Sequence, residues 1–141
     1  MSERTLAIIK PDVVSKGKIG AVITMIEESG LQIDQMTVTW LYSHIWEKFY
    51  AEHVGKSFFD GLIEFMDSGP SVALVLRGEN AIQRLRDLNG ATNPAKAADG
   101  TIRRRFGTPD GGPRNAMHGS DSPESFEREL ELLFPQMYYG N

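Results

Sequence analysis

The sequence predicts an α+β fold: a ferredoxin-like βαββαβ antiparallel sheet, with helices on one face, additional helices and one long binding loop. Three observations carry this reading. Short β-rich apolar runs at residues 5–9, 31–42 and 72–76, and a shorter one leading to His118, alternate with segments of helical period. No internal repeat interrupts the order. Residues 89–117 have little periodicity but hold many glycines, prolines and arginines, and a loop that long in a compact domain is usually functional or disordered.

The 141 residues suit a single domain, 1–141, large enough to bury a core without staples. The chain contains no cysteine, which excludes disulfides, zinc-thiolate sites and thiol catalysis. No apolar run approaches the ~18 residues needed to span a bilayer, and Met1-Ser2-Glu3-Arg4 runs straight into a strand-like segment, leaving no room for a signal peptide. A cytoplasmic location without a membrane partner is therefore expected. The net charge of −4 argues against a general nucleic-acid binder.

Residues 5–9, Thr-Leu-Ala-Ile-Ile, read as a buried strand that stops at Lys10-Pro11-Asp12, because proline has no N–H for the ladder. Lys10 then lies at a strand end, where such folds often place ligand groups. Ile19, Val22, Ile23 and Ile26 share one helical face, and Gly30 suits the stop after it. Residues 31–42 are strand-like, and Ser43 can cap a helix running to about residue 54, with Tyr50 near its end. Gly55-Lys56-Ser57 breaks that helix, and Ser57 with Asp60 resembles a capping pair for the next. In that helix Phe59, Leu62, Ile63 and Met66 face the core, which turns Phe58 elsewhere, exposed and free to stack on a base. After a Gly69-Pro70 turn, the continuous apolar run 72–76 suits a central strand buried on both faces. A short helix over residues 80–88 carries Arg84 and Arg86.

The stretch at residues 114–122 organises the rest. A short strand carries His118 to its end, Gly119 turns the chain, and Ser122 with Pro123 opens a helix. On that helix Phe126, Leu130, Leu133 and Phe134 form the apolar face, and Glu129 is the carboxylate at its inner edge.

His118, Lys10, Arg86, Arg103, Thr92, Asn115, Tyr50, Phe58 and Glu129 together supply a nucleophile, cations, hydrogen-bond donors and an aromatic. A polyphosphate needs such a set, because cations offset its charge and donors fix its oxygens. There is no carboxylate cluster to cage a metal alone, so any Mg²⁺ rides in on the phosphates. Neither a Gly-x-x-x-x-Gly-Lys-Ser/Thr loop nor the protein-kinase signatures occur. An RNA-binding module of the same fold would have Arg103-Arg104-Arg105 as its basic patch, but its RNP1 pattern is missing. Met117 before His118-Gly119 departs from the Arg-His-Gly motif of the histidine phosphatases.

Lys10-Pro11-Asp12, Phe49-Tyr50, Phe58-Phe59, Met66-Asp67-Ser68-Gly69-Pro70, Gly90-Ala91-Thr92-Asn93-Pro94-Ala95, Gly100-Thr101-Ile102-Arg103 and residues 114–122 occur in this order over almost the whole chain. In these motifs the chain resembles nucleoside diphosphate kinases. The resemblance implies transfer of the γ-phosphoryl of a nucleoside triphosphate, mainly ATP, to a nucleoside diphosphate. The route is ping-pong through phospho-His118, and the role is balancing nucleotide pools. It implies Phe58 on the base, Lys10, Arg103 and Asn115 on the sugar or outer phosphates, and Arg86 and Thr92 on the phosphate chain. Tyr50 belongs to the same nucleotide site, and Ser120 and Glu129 support the histidine. Mg²⁺ is the implied cofactor, and a homo-oligomer built from dimers, tetramer or hexamer, the implied assembly. No specific nucleic acid is expected. Covalent transfer splits one exchange into two similar half-reactions at one site.

Three positions depart from the family pattern. Ser57 stands where a proline usually precedes Phe-Phe. Arg103-Arg104-Arg105 is more basic than the usual run, and the link at residues 107–113 is longer by about two residues. The chain also ends early, at Asn141, as in shorter bacterial members.

Overall fold

The computed structural model describes residues 2–139. Strands β1 (Ser2–Ile9), β2 (Gln32–Thr39), β3 (Ser71–Glu79) and β4 (Met117–Gly119) form one sheet in the order β2-β3-β1-β4. Every neighbouring pair is antiparallel. That is the expected βαββαβ order, with the first and third strands at the centre.

The sheet is covered on both faces, not on one. Leu6 and Ile8 of β1, with Ala73 and Val75 of β3, pack with Trp46, Phe49, Met66, Phe126 and Leu130. Ala7 and Ile9, with Val72, Leu74 and Leu76, pack with Val22, Ile26, Leu85 and Ile102. Period-2 alternation sends successive residues to opposite faces. An unbroken apolar run such as 72–76 therefore demands cover on both sides. Helices α2 (Ile19–Glu28) and α5 (Ala81–Asn89) cover one face. The other is covered by α3 (Ser43–Phe49), α4 (Phe59–Asp67) and α7 (Pro123–Leu133), all three additional to the βαββαβ order.

Several boundaries differ from expectation. Pro11 opens a short helix, α1 (Pro11–Ser15), where only a strand end was expected. The helix predicted over 43–54 stops at Phe49 and continues as a 3-10 turn, Ala51–His53. Ser43 does not cap it: Tyr42 holds the cap position, so the hydroxyl comes one residue late. Ser57 does not cap α4 either, since Phe58 is the cap residue and the serine stands outside it. Asn80 precedes α5 in the left-handed region, φ +51, with no side-chain cap. The long loop contains a 3-10 turn, Pro94–Lys96, and a helix, α6 (Ile102–Phe106), begun by Thr101, whose side chain accepts from Arg104 N. A final short helix, α8, spans Pro135–Tyr139. Gly30 follows α2 at φ +91, the left-handed stop that glycine adopts without strain. Among the described residues no helix is long and apolar enough to cross a membrane.

Candidate active site

His118 lies opposite Ile8 in the β1–β4 ladder. Its neighbour Met117 enters the core on one face of the sheet, so the imidazole is sent to the other. There it meets the edges of Phe49, 4.9 Å between ring centroids, and Tyr50, 6.3 Å. Helix α7 supplies its partner. Ser122 accepts from Ser125 N and Pro123 holds the first helical position. With its start fixed, the helix brings Glu129 Oε1 to 3.0 Å from His118 Nε2. The Ser120 hydroxyl donates to the same Oε1 at 2.8 Å, and Ser120 N is anchored on Leu6 O of β1 at 3.0 Å. Glu129 is buried, with Arg128 Nη2 3.7 Å from its second oxygen. A carboxylate on Nε2 takes the N–H of that nitrogen and leaves the lone pair on Nδ1. Nδ1 has no hydrogen-bond partner among the described residues, and the ring lines both lobes of a cleft.

One lobe, a cavity of about 350 Å³, is bordered by His118, Arg86, Thr92, Arg103, Tyr50 and Asp121. The other, about 540 Å³, opens past Lys10, Phe58, Leu62, Pro113 and Asn115. All the sequence-selected residues except Ser120 border one lobe or the other, and Ser120 reaches the site through Glu129.

Two cations of the cleft, Arg103 and Lys10, are positioned by hydrogen bonds to the loop around Asn115. Arg103 donates from Nε to Asn115 O (3.2 Å), from Nη1 to Gly90 O (3.3 Å) and from Nη2 to Met117 O (2.9 Å). It thereby ties α6 and the long loop to the His118 strand. Burial, opposed by Tyr50 and aided by the nearby Arg86, lowers its pKa to about 10. Lys10 Nζ donates to Asn115 Oδ1 at 2.8 Å and to Pro113 O at 3.4 Å. Asn115 Nδ2 in turn donates to Thr92 O at 3.0 Å. Lys10 is buried; that burial, reinforced by Arg103 and opposed by Asp12, lowers its pKa to about 7. Burial, then the Glu129 charge, pushes the Tyr50 phenol well above its ordinary range, and its hydroxyl has no partner among the described residues. Phe58 stands 51% exposed, flanked by the edge of His53 at 5.2 Å and by Lys56 Nζ 5.8 Å from its ring centre.

Sequence reasoning passed over Glu52, His53, Asn89 and Asp121, all of which border the first lobe. His53 follows Phe49 by four residues, a helical spacing that signalled it. Asn89 is buried and donates to Met117 O at 2.8 Å; a helix-end asparagine carries no such signal. Asp121 is held below the usual carboxylate range by its Ser125 hydrogen bond first, and by Arg86. No group of three or more His, Cys, Asp or Glu converges as a metal cage among the described residues. A hard cation brought on phosphate oxygens, retaining much of its water, fits a lobe bordered by Glu52 and Asp121.

The link at residues 107–113 is ordered by short turns. Thr108 N donates to Arg114 O at 2.8 Å and Gly111 N to Thr108 O at 2.9 Å. Asn93 bonds Asp110 twice, Nδ2 to Oδ1 at 2.7 Å and Oδ1 from the backbone N at 3.0 Å.

A family model described as nucleoside diphosphate kinase matches residues 3–138. The chain is 50% identical over 132 residues to a nucleoside diphosphate kinase of Archaeoglobus fulgidus, covering 94% of this chain and 86% of that one. Among solved structures it is similar to the Aquifex aeolicus enzyme, at TM-score 0.89 and 42% identity over 95% of this chain and 96% of that chain. It is equally similar in fold, TM-score 0.89, to a Halobacterium salinarum nucleoside diphosphate kinase in complex with CDP, at 40% identity over 95% and 88% of the two chains.

Proposed function

The chain belongs to the nucleoside diphosphate kinase family, phosphotransferases that move phosphate between nucleotides through a phosphohistidine, and on that premise we propose that His118 is the phosphoryl carrier. The observation that carries this is the Nε2 contact to Glu129, which leaves Nδ1 free at the cleft. The Nδ1 lone pair attacks the γ-phosphorus of a nucleoside triphosphate, mainly ATP. A P–N bond forms, the bond to the β–γ bridging oxygen breaks, and the nucleoside diphosphate leaves with the electron pair. Throughout, Glu129 holds the Nε2 proton and faces the positive charge that grows on the ring. In the second half-reaction a terminal phosphate oxygen of another nucleoside diphosphate attacks the phosphorus and the P–N bond breaks, restoring the imidazole.

Arg86, Arg103, Lys10, Thr92 and Asn115 hold the phosphates and sugar. Their donors are fixed beforehand, so little reorganisation is needed as charge moves. Phe58 stacks on the base, and stacking tolerates every base because each has a π-face. Tyr50 closes the wall beside His118. Mg²⁺ brought in on the phosphates would supply charge neutralisation there, and Glu52 and Asp121, which border the same lobe, would be the carboxylates available to its bound waters. The substrates are nucleoside di- and triphosphates, in keeping with the CDP complex of the Halobacterium relative. The same reading makes residues 1–141 one catalytic domain in the cytoplasm.

For assembly, the edge strand β2 carries Met36 and Val38 outward, and Trp40 and Tyr42 continue the same alternation, all four exposed. An apolar edge of this kind calls for a partner, and we assign it to a second copy of the chain in a homo-oligomer built from dimers. Label from γ-labelled ATP that resides on the protein and then passes to GDP tests the transfer reading.

A further inference from the structure

Ala116, two residues before His118, has φ +74 although it is not a glycine. Met117 N donates to Asn115 O across it at 2.9 Å, closing a γ-turn of the rare, strained hand. An L side chain persists there only when its surroundings over-determine the backbone. Two contacts from the segment after β1 do so. Lys10 N donates to Ala116 O at 2.9 Å, and Ala116 N donates to Asp12 Oδ2 at 3.1 Å. One holds the peptide unit after the Ala116 Cα and the other the unit before it, so rotation about either backbone bond breaks a contact.

Asp12 is set for this by α1. Pro11 holds the first helical position, and Val13 N and Val14 N both close on Lys10 O. The carboxylate is only 7% exposed, and its other oxygen, Oδ1, has no partner among the described residues. Burial raises its pKa, while the Ala116 N–H and the Lys10 charge oppose the rise. Burying an incompletely paired carboxylate is unfavourable. Its retention needs a use, and phosphoryl transfer as derived above gives it none.

We propose that Asp12 is a positioning residue for the transfer reaction: by holding Ala116 N–H it locks the strained turn that aims the His118 ring and sets Asn115 beside Lys10. From Ala116 the chain leads one way to the Asn115 side chain, which accepts from Lys10 and donates to Thr92 O. The other way it leads to Met117 and His118. Slack at Ala116 loosens both. The inference rests on the phosphohistidine reading.

The test measures phosphorylation of the full chain by phosphoramidate, a small donor that needs no nucleotide site, beside kcat, KM and ADP affinity. Unlabelled wild type, or label retained in His118→Ala, removes the phosphohistidine reading itself. With wild type labelled, Asp12→Ala is expected to slow both phosphoramidate labelling and kcat by about tenfold or more. ADP affinity should fall less than kcat, since Phe58, Arg86 and Thr92 sit on other elements and still hold the nucleotide while Asn115 is loosened. Asp12→Asn, which keeps an acceptor for Ala116 N–H, should retain most of the rate. Ala116→Gly, placed under Asp12→Ala, should recover much of the loss, because glycine takes φ +74 unaided. Labelling of folded Asp12→Ala at the wild-type rate, an equal loss in Asp12→Asn, or a loss confined to ADP affinity overturns the proposal. If Asp12→Ala does not fold, the double variant decides: labelling near the wild-type rate supports the clamp, and a folded but unlabelled protein contradicts it.

Discussion

Glu129 Oε1 accepts the Ser120 hydroxyl at 2.8 Å while it stands 3.0 Å from His118 Nε2. One buried oxygen thus fixes both the orientation and the tautomer of the imidazole. Glu129→Ala removes a hydrogen bond to a charged group, worth about 1.5–3 kcal/mol. The expected result is a kcat lower by about 10- to 150-fold with nucleotide affinity little changed. Glu129→Gln, which still offers an acceptor to Nε2–H, should fall less. Single-turnover phosphorylation measures both, and equal losses in the two variants would show that the charge matters and not the acceptor.

Lys10 gives the site a pH dependence whose sign follows from its burial. Its value in the folded chain is about 7, against an ordinary 10.5. The unfolded chain therefore binds the extra proton between those values. The cost of burying Lys10 is full below pH 7 and is relieved as pH rises toward 10.5. A bound polyphosphate favours the ammonium, so at pH above 7 binding must take up a proton. Nucleotide affinity should fall from pH 7 to 9, with proton uptake visible by calorimetry in buffers of different ionisation enthalpy. Lys10→Gln should bind more weakly and lose the uptake. Unchanged proton uptake in that variant would assign the titration to another group.

Phe58 is half exposed at the cleft mouth. Stacking is worth about 1–3 kcal/mol per base, so Phe58→Ala should raise KM by about 5- to 150-fold for purine and pyrimidine nucleotides alike, with kcat nearly constant. Steady-state kinetics on four bases check this. A loss limited to one base would point to hydrogen-bond readout in place of stacking.

On the edge strand, Val38 is 65% exposed and Trp40 63%. Charges there should oppose pairing through β2. Met36→Lys with Val38→Lys is expected to reduce the mass in light scattering to that of one chain, with far-UV circular dichroism preserved. An unchanged oligomer mass would move the interface to another surface.

Much of the architecture was legible because each element left a local mark. The run 5–9 announced a buried strand and 72–76 a central one, the Ile19-Val22-Ile23-Ile26 stripe announced α2, and Ser122-Pro123 announced the start of α7. The inward side of Glu129 followed from helical angle alone, and Glu129 is indeed buried. What stayed hidden depended on distant partners. Helices α1 and α6 are five residues each and pack on distant elements, α1 against β3 and α6 within the long loop, so periodicity did not reveal them. Burial on both faces was legible for the 72–76 strand, but the helices were still expected on one face of the sheet, because the second layer comes from helices outside the βαββαβ core. The strained Ala116 carries no glycine to mark a left-handed residue, and its restraints lie about a hundred residues earlier in the chain. Arg103 was selectable as a cation, but its three carbonyl contacts were not.

The central claim is that His118 carries the phosphoryl group. The measurement is labelling of the full chain with γ-³²P-ATP and Mg²⁺, followed by a chase with GDP. Wild type should hold acid-labile label on His118 and discharge it to GTP. His118→Ala should take up none while binding ADP within about threefold of wild type, as expected if the nucleotide is held by the cations and Phe58. Label on His118→Ala, or wild-type label that GDP does not discharge, would contradict the account.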